Sequence, residues 1–390
     1  MNLDQLRSYY QNSYPFDEIS RWLCPDYNWL QFREVAFFSS RRDGKGTYAR
    51  RFLGFKTSQE WKEAVLNSQD IPERFEIGAL YNLPLVHKSL TGAFPIGREF
   101  VIDIDTDDYD MVRRCCSKEN FCFECWKLLT TAAHVINILL KECFDLHHVL
   151  WVYSGRRGLH GWVCDNGHRK MSNDFRTRIA QFLSMATSRD AGRMFDYVPQ
   201  RVISKLLAFS FDDHGADFGP LARLFYERER EIFAYYDEKS PINNLKPIYK
   251  VFLERIQSAS DQTRSIAQSI DIHIKNLGED VKYSAIKTIF KNFLEPYPEL
   301  MAEFVWFCVG PRLDVNVSAQ INHLLKAPFC VHPKTGYICV PIDNEYLVEF
   351  FPDENSVPKL STVVENPAEL NIFVEYFEQF FRNAHRFKKE

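Results

Sequence analysis

The stretch Glu99-Phe100-Val101-Ile102-Asp103-Ile104-Asp105 decides how this chain is read. In an extended strand alternate residues share a face, so Phe100, Ile102 and Ile104 point one way and Val101, Asp103 and Asp105 the other. A second stretch far downstream, Arg312-Leu313-Asp314-Val315-Asn316-Val317, carries the same alternation. Read as a strand, it sends Leu313, Val315 and Val317 into a core and Asp314 to the opposite side. Three carboxylates displayed from apolar strands suit Mg²⁺ or Mn²⁺, hard cations that take one or two carboxylates together with substrate phosphates. Two such ions about 3.5–4 Å apart can activate a hydroxyl and stabilise the leaving oxygen of an in-line displacement. Alone, Asp-x-Asp is a weak signal, because a solvated strand end carries it too. With Asp314 added, phosphoryl transfer becomes the first hypothesis.

The turn Tyr153-Ser154-Gly155-Arg156-Arg157-Gly158-Leu159-His160 joins two further strands, His148–Ser154 and Leu159–Cys164. Glycines on both sides of paired arginines permit a tight turn and close approach to a ligand. Guanidinium forks bind phosphate bidentately, and Ser154 and His160 can add hydrogen bonds. An ordinary basic hairpin is the plain alternative; beside metal-binding carboxylates the turn reads as a triphosphate clamp. Downstream of Asp314 come Lys326 and His332. Ser318 is expected to cap a short helix, Ala319–Leu325, with Lys326 at its end. His332 is expected at a hairpin turn, where a solvated histidine is the default, and spacing alone does not bring it to phosphate.

Cys115, Cys116, Cys122 and Cys125 occupy one short window just after the acidic strand. Thiolates at such spacing suit a closed, tetrahedral, structural Zn²⁺ site; a redox pair or a coincidental cluster is the alternative. Cys24, Cys143, Cys164, Cys308, Cys330 and Cys339 are scattered and read as core. Arg41, Arg42, Lys45, Arg50 and Arg51, interleaved with Tyr48, Phe52 and Phe55, could track a nucleic-acid backbone, or form a solvated basic hairpin.

The chain of 390 residues is long enough for two or three cores. Its net charge of −4 argues against a stand-alone nucleic-acid binder, which is usually basic, so cations must be concentrated on one face or a partner must supply affinity. The opening residues have no basic or apolar leader segment and read as non-secretory. The stretch Trp126–Phe144, interrupted by Thr130, Thr131, His134, Asn137 and Lys141, reads as an amphipathic helix rather than a membrane span. Ten cysteines without a leader point to a reducing compartment.

Helices are expected at Leu3–Tyr10 and Phe16–Trp22, then strands at Glu34–Ser40, Tyr48–Phe55 and Glu76–Asn82. Helical spacing follows at Met171–Thr187, Gln200–Phe209, Leu221–Tyr236, Pro247–Ser258 and Val281–Leu294, with long polar stretches between. Strands are expected again at Phe329–His332 and Tyr337–Pro341, and a last helix at Pro367–His385. The fold class is mixed α/β. The expected division is a catalytic domain over 1–188 and 301–390, with the zinc motif at 115–125, interrupted by an α-helical subdomain over 189–300.

These pieces in this order resemble the catalytic small subunits of eukaryotic DNA primases, within the archaeo-eukaryotic primase superfamily. The resemblance rests on V-I-D-I-D-x-x-D-Y-D-x-V-R-R-C-C (Val101–Cys116), W-V-Y-S-G-R-R-G-x-H-x-W-V (Trp151–Val163) and P-R-L-D-x-N-V-S-x-x-I-N-H-L-L-K-x-P-F-x-V-H-P-K-T-G (Pro311–Gly336). It implies a "prim" α/β fold with an inserted helical subdomain, and de novo synthesis of short RNA primers on single-stranded DNA. By it, Asp103, Asp105 and Asp314 are the ligands of two catalytic Mg²⁺ or Mn²⁺ ions, and Glu34 is a further functional acid. Ser154, Arg156, Arg157, His160, Lys326, His332 and Arg50 would bind the nucleoside triphosphate, and the four clustered cysteines one Zn²⁺. The implied partners are a large primase subunit with an iron–sulfur cluster and DNA polymerase alpha; the implied location is nuclear. A primer-extending or repair-type relative, or a non-catalytic zinc-stabilised nucleic-acid-binding subunit, are the rival readings.

Overall fold

The computed structural model describes residues 2–24, 27–41, 46–86, 91–110, 112–113, 115–184, 198–207, 219–228, 247–257, 260–277 and 283–386. The chain divides into two compact units. The first comprises Met1–Ile104, Leu146–Ala180 and Asp314–Glu390; the second comprises Asp105–Asp145 and Gln181–Leu313. The class is mixed α/β, with antiparallel pairing in both sheets.

The first unit holds both sheets, apart from Asp105, the last residue of the fifth strand, which falls in the second. In chain order its strands are β1 (Arg33–Ser40), β2 (Thr47–Leu53), β3 (Arg74–Tyr81), β4 (Pro95–Gly97), β5 (Phe100–Asp105), β6 (Val149–Tyr153), β7 (Gly158–Val163), β8 (Leu325–Lys326) and β9 (Pro341–Ile342). One sheet runs β2-β1-β3-β4 with β8 paired to β3; the other runs β5-β7-β6-β9. The five residues of β6 and the six of β7 are all buried. Helices Leu3–Asn12 and Phe16–Leu23 cover the first sheet through Tyr10, Tyr14 and Phe16, which pack with Trp61 on Phe75 of β3. The last helix is Asn371–Arg386.

A buried ion pair ties the sheets together. Arg33 of β1 forks onto Glu99, just before β5, through two 2.9 Å bonds, and neither side chain is exposed. Arg33 also donates to the carbonyls of Gly78 and Leu23, and Arg176 donates to those of Arg98 and Glu99. These backbone and carboxylate acceptors fix where β5 begins.

The second unit is helical. Its longest helix, Phe123–Phe144, buries Trp126, Leu129, Ala133, Ile136 and Leu140 along one stripe. Helices Gln200–Leu207, Pro220–Glu227, Pro247–Gln257, Asp261–Lys275, Tyr283–Leu294 and Pro298–Val309 follow. Phe304 is the hub, with the rings of Phe225, Phe252 and Phe290 centred 5.7, 4.9 and 4.8 Å away. Among the described residues no helix is long and apolar enough to cross a membrane.

Three expectations need correction. Arg312–Val317 is not a strand: Asp314 accepts a 2.9 Å bond from the amide of Asn316 and caps a short helix, Val315–Ala319. Leu313 and Val317 are still buried, as expected, but Val315 is only half-buried. Ser318 therefore lies inside a helix instead of capping one over Ala319–Leu325, and Lys326 emerges from β8. Finally, two helices, Asp261–Lys275 and Pro298–Val309, form where no helix is expected. The expected segments at 185–187, 208–209, 229–236, 258 and 281–282, and the turn residues Arg42, Asp43, Gly44 and Lys45, lie outside the described residues.

Candidate active site

Within the first unit, Asp103 and Asp314 are joined through their backbones. The amide of Asp314 donates to the carbonyl of Asp103 at 3.0 Å. Strand β5 buries Ile102 and Ile104 and leaves Asp103 half-exposed, while Asp314 is exposed. A strand end and a helix cap thus present two carboxylates from adjoining main chain. Such oxygens, reachable from solvent and fixed by backbone, are the donor set a hard divalent cation takes. Asp105, the last residue of β5, caps the one-turn helix Thr106–Tyr109, accepting from the amide of Asp107 at 3.3 Å. Capping fixes the side-chain orientation of Asp105 and Asp314 alike. In the second unit the amide of Arg312 donates to the buried hydroxyl of Tyr109 at 3.0 Å.

His160 on β7 brings Nε2 to 3.7 Å from Asp103 Oδ1. Burial, then the charges of Lys326 and His332, lowers its pKa to about 3, so the ring is neutral near pH 7. His332 is held equally low, at about 3, by burial and by the charges of Lys326 and Arg156. Lys326 points its Nζ at the carbonyl of Ser154, 3.0 Å away.

The Ser154–Gly158 turn is closed by its own residues. The Ser154 amide donates to the Gly158 carbonyl at 2.9 Å, and the Gly158 amide to Ser154 Oγ at 3.0 Å. Tyr153 donates its hydroxyl to the Arg156 carbonyl at 2.8 Å. Gly155 has φ +86°, and a Cβ there would sit 2.6 Å from the Cβ of His332. The Gly155 carbonyl accepts from Thr335 Oγ1 at 2.6 Å. Glycine is needed here both for its backbone angle and for the approach of the His332 hairpin. Ser154, Gly155, His160, Lys326, His332 and Asp103 therefore form one neighbourhood, with Arg156 close enough to shift His332 and Arg157 half-buried in the same turn.

Glu34 and Arg50 have other surroundings. Glu34 is buried on β1, accepting from Arg51 at 2.8 and 3.2 Å, from the Phe52 amide and from the Tyr81 hydroxyl. Arg51, not Arg50, reaches toward the Asp314–Lys326 segment, donating to the Asn322 carbonyl at 3.3 Å. Arg50 donates to Ser68 Oγ at 2.7 Å and lies over the ring of Phe37. Thr335 and His323 were not singled out from sequence. His323 is half-buried, its pKa lowered by burial and Arg98, with Asp314 and Glu76 opposing. A lone histidine in an apolar run carries no signal of such company.

The second unit gathers Cys115, Cys116, Cys122 and Cys125, whose sulfurs all lie within 4.8 Å of one another. The Cys122 and Cys125 sulfurs are 4.0 Å apart. Four sulfurs about 2.3 Å from one zinc would be about 3.8 Å apart, so the set fits that ion. Adjacent Cys115 and Cys116 both reach the group. Cys122 opens the helix Phe123–Phe144, and burial raising its pKa is outweighed by the amide of Cys125 and the thiols of Cys115 and Cys116. Among the other cysteines Cys24, Cys164, Cys308, Cys330 and Cys339 are buried, and Cys143 is half-buried.

The family model described as "DNA primase small subunit" matches residues 102–344, a span that contains Asp103, the Ser154–Gly158 turn, Asp314, Lys326 and His332. The DNA primase small subunit of Schizosaccharomyces pombe is 32% identical over 88% of this chain and 74% of its own length. Those of Drosophila melanogaster and Saccharomyces cerevisiae are each 30% identical over 95% of this chain, and over 82% and 88% of their own lengths. The chain belongs to the DNA primase small-subunit family.

Proposed function

We propose that this protein starts RNA primers de novo on single-stranded DNA for replication, by template-directed nucleotidyl transfer. The observation that carries the reading is the backbone bond from Asp314 to Asp103, which unites two carboxylates from opposite sides of the inserted helices. Two Mg²⁺ or Mn²⁺ ions on Asp103, Asp105 and Asp314 would lower the pKa of an attacking 3′-hydroxyl and stabilise charge on the in-line phosphoryl group. The protein's own part is orientation and charge. Lys326, Arg156 and Arg157 offset the triphosphate and hold pyrophosphate as leaving group, and neutral His160 and His332 donate hydrogen bonds without competing with the cations. Ser154 adds a hydroxyl at the turn. No side-chain nucleophile is required.

The same reading assigns one structural zinc to the four cysteines and a supporting role to Glu34, exercised through Arg51. Arg50 would meet phosphate only by leaving Ser68. It takes a "prim" fold whose polymerase domain is residues 1–188 and 301–390, with 189–300 as helical subdomain. A net charge of −4 supports an enzyme that borrows template grip from a large, iron–sulfur-bearing subunit and DNA polymerase alpha, in the nucleus. The test is a primer-free assay on a polypyrimidine template with ribonucleoside triphosphates. Short RNA products dependent on divalent cation are expected. Synthesis only from a supplied primer would instead favour an extending or repair-type enzyme. No pyrophosphate release at all would leave a nucleic-acid-binding subunit.

A further inference from the structure

Two buried arginines of the second unit reach the sulfurs. Arg113 is 3% exposed. Its Nε donates to Asp110 at 2.6 Å, Nη2 to the Lys118 carbonyl at 2.6 Å, and Nη1 to the Asn120 carbonyl at 2.7 Å, with Cys125 Sγ 3.8 Å away. The cysteine loop is folded round this guanidinium. Arg228 is 2% exposed and follows the helix Pro220–Glu227. Its Nη1 donates to the carbonyl of Glu124 at 2.6 Å, 104 positions earlier in the chain, and its guanidinium lies close enough to the Cys115 thiol to lower that group's pKa against the raising effect of burial. The residue before it, Glu227, pairs with Lys127 at 3.3 Å. The end of one inserted helix therefore delivers an arginine to a cysteine and a glutamate to the helix that the cysteines begin.

We propose that Arg113 and Arg228 are positioning residues for the zinc tetrathiolate, and that Arg228 couples metal binding to the docking of helix Pro220–Glu227. This rests on the zinc reading above. Four thiolates on one Zn²⁺ leave a formal charge of −2; Arg228 brings a positive charge to it, and Arg113, already paired with Asp110, brings an N–H donor to Cys125. N–H donors at sulfur fix ligand orientation and disperse that charge, as the outer partners of metal ligands generally do. Burial cuts the other way for the arginines, since a desolvated guanidinium needs negative charge nearby. Each side thus stabilises the other. Reciprocity of binding free energies then requires that zinc hold the helix as firmly as the helix holds zinc.

The full-length protein is loaded with zinc and titrated with a chromophoric chelator, wild type first. Wild type is expected to hold one equivalent; if it holds none, the zinc reading itself fails. In zinc-binding wild type, Arg228→Met is expected to weaken affinity roughly 10–100-fold, with Arg228→Lys recovering part of the loss. Glu227→Gln, which breaks the Lys127 pair and keeps Arg228, should retain wild-type affinity. With Co²⁺ in place of zinc, the thiolate-to-metal charge-transfer band should move to longer wavelength in Arg228→Met, because sulfur loses a stabilising N–H donor. Wild-type affinity and an unshifted band in Arg228→Met overturn the proposal. So does an equal loss in Glu227→Gln, which keeps the guanidinium and would leave it without a role of its own. Should Arg228→Met fail to fold, Arg228→Lys decides: an unshifted band with unchanged affinity refutes the role.

Discussion

The amide of Asp314 donates to the carbonyl of Asp103 at 3.0 Å, although the inserted helices separate the two in sequence. Because the bond is between main-chain atoms, changing either side chain leaves it intact. Asparagine also keeps the cap that Asp314 provides to Asn316. Asp103→Asn and Asp314→Asn should each reduce primer synthesis to background while thermal stability stays within about 1 kcal/mol of wild type. Parallel activity and unfolding measurements check this, and near-normal primer yield from either variant would remove the residue from the chemistry.

Gly155→Ala should damage nucleotide binding more than global stability. The added Cβ would stand 2.6 Å from His332 Cβ and 3.1 Å from Cys339 Sγ, at φ +86°. The turn must move or the His332 hairpin must retreat, and either displaces Lys326, which bonds the neighbouring Ser154 carbonyl. A rise in KM for nucleoside triphosphate of roughly tenfold or more is expected, since small misplacements of clamp residues are costly. An unchanged KM would separate the turn from nucleotide binding.

The Arg33–Glu99 pair is expected to dominate acid stability. Burial raises the Glu99 carboxyl, but the charges of Arg33 and Arg169 and the Arg33 hydrogen bonds outweigh it and hold the pKa at about 2. A carboxyl depressed from 4.5 contributes stability that is complete above pH 4.5 and is lost as pH falls through 2. Glu99→Gln leaves a buried guanidinium uncompensated and should cost about 3–5 kcal/mol at pH 7. The variant's unfolding free energy should then vary less than wild type below pH 4.5, which denaturant titrations at several pH values would reveal.

His332 gives the opposite group type with the same direction in pH. Its pKa is lowered from 6.5 to about 3, so the folded protein binds fewer protons than the unfolded chain below pH 6.5. Stability from the neutral ring is therefore full above pH 6.5 and declines as pH falls toward 3. His332→Asn should flatten that decline. Direct observation of the His332 ring by NMR should show it neutral at pH 6; an imidazolium there would contradict the placement between Lys326 and Arg156.

Much of this was legible from local pattern. Strand β5 follows from alternating Phe100, Ile102 and Ile104 against two aspartates, and the helix Phe123–Phe144 from a long apolar stripe. Arg312–Val317 misled because a six-residue alternation fits a strand equally with a cap plus one helical turn; the Asp314 side chain chose the latter by taking the Asn316 amide. Helix Pro298–Val309 was missed because it is buried from Leu300 to Val309 apart from Ala302, leaving no polar face to mark a period. The meeting of Gly155 with His332 is a product of tertiary packing, and no spacing announces it. Arg50 and Arg51 are neighbours on one strand with opposite faces, and only the register that puts Arg50 opposite Phe37 separates their roles.

The most direct measurement is the anomalous scattering of manganese in crystals soaked with Mn²⁺ and a nucleoside triphosphate. Manganese is expected to be coordinated by Asp103, Asp105 and Asp314, with the triphosphate reaching Lys326 and the Ser154–Gly158 turn. Manganese bound without Asp314, or found away from Asp103, would contradict this.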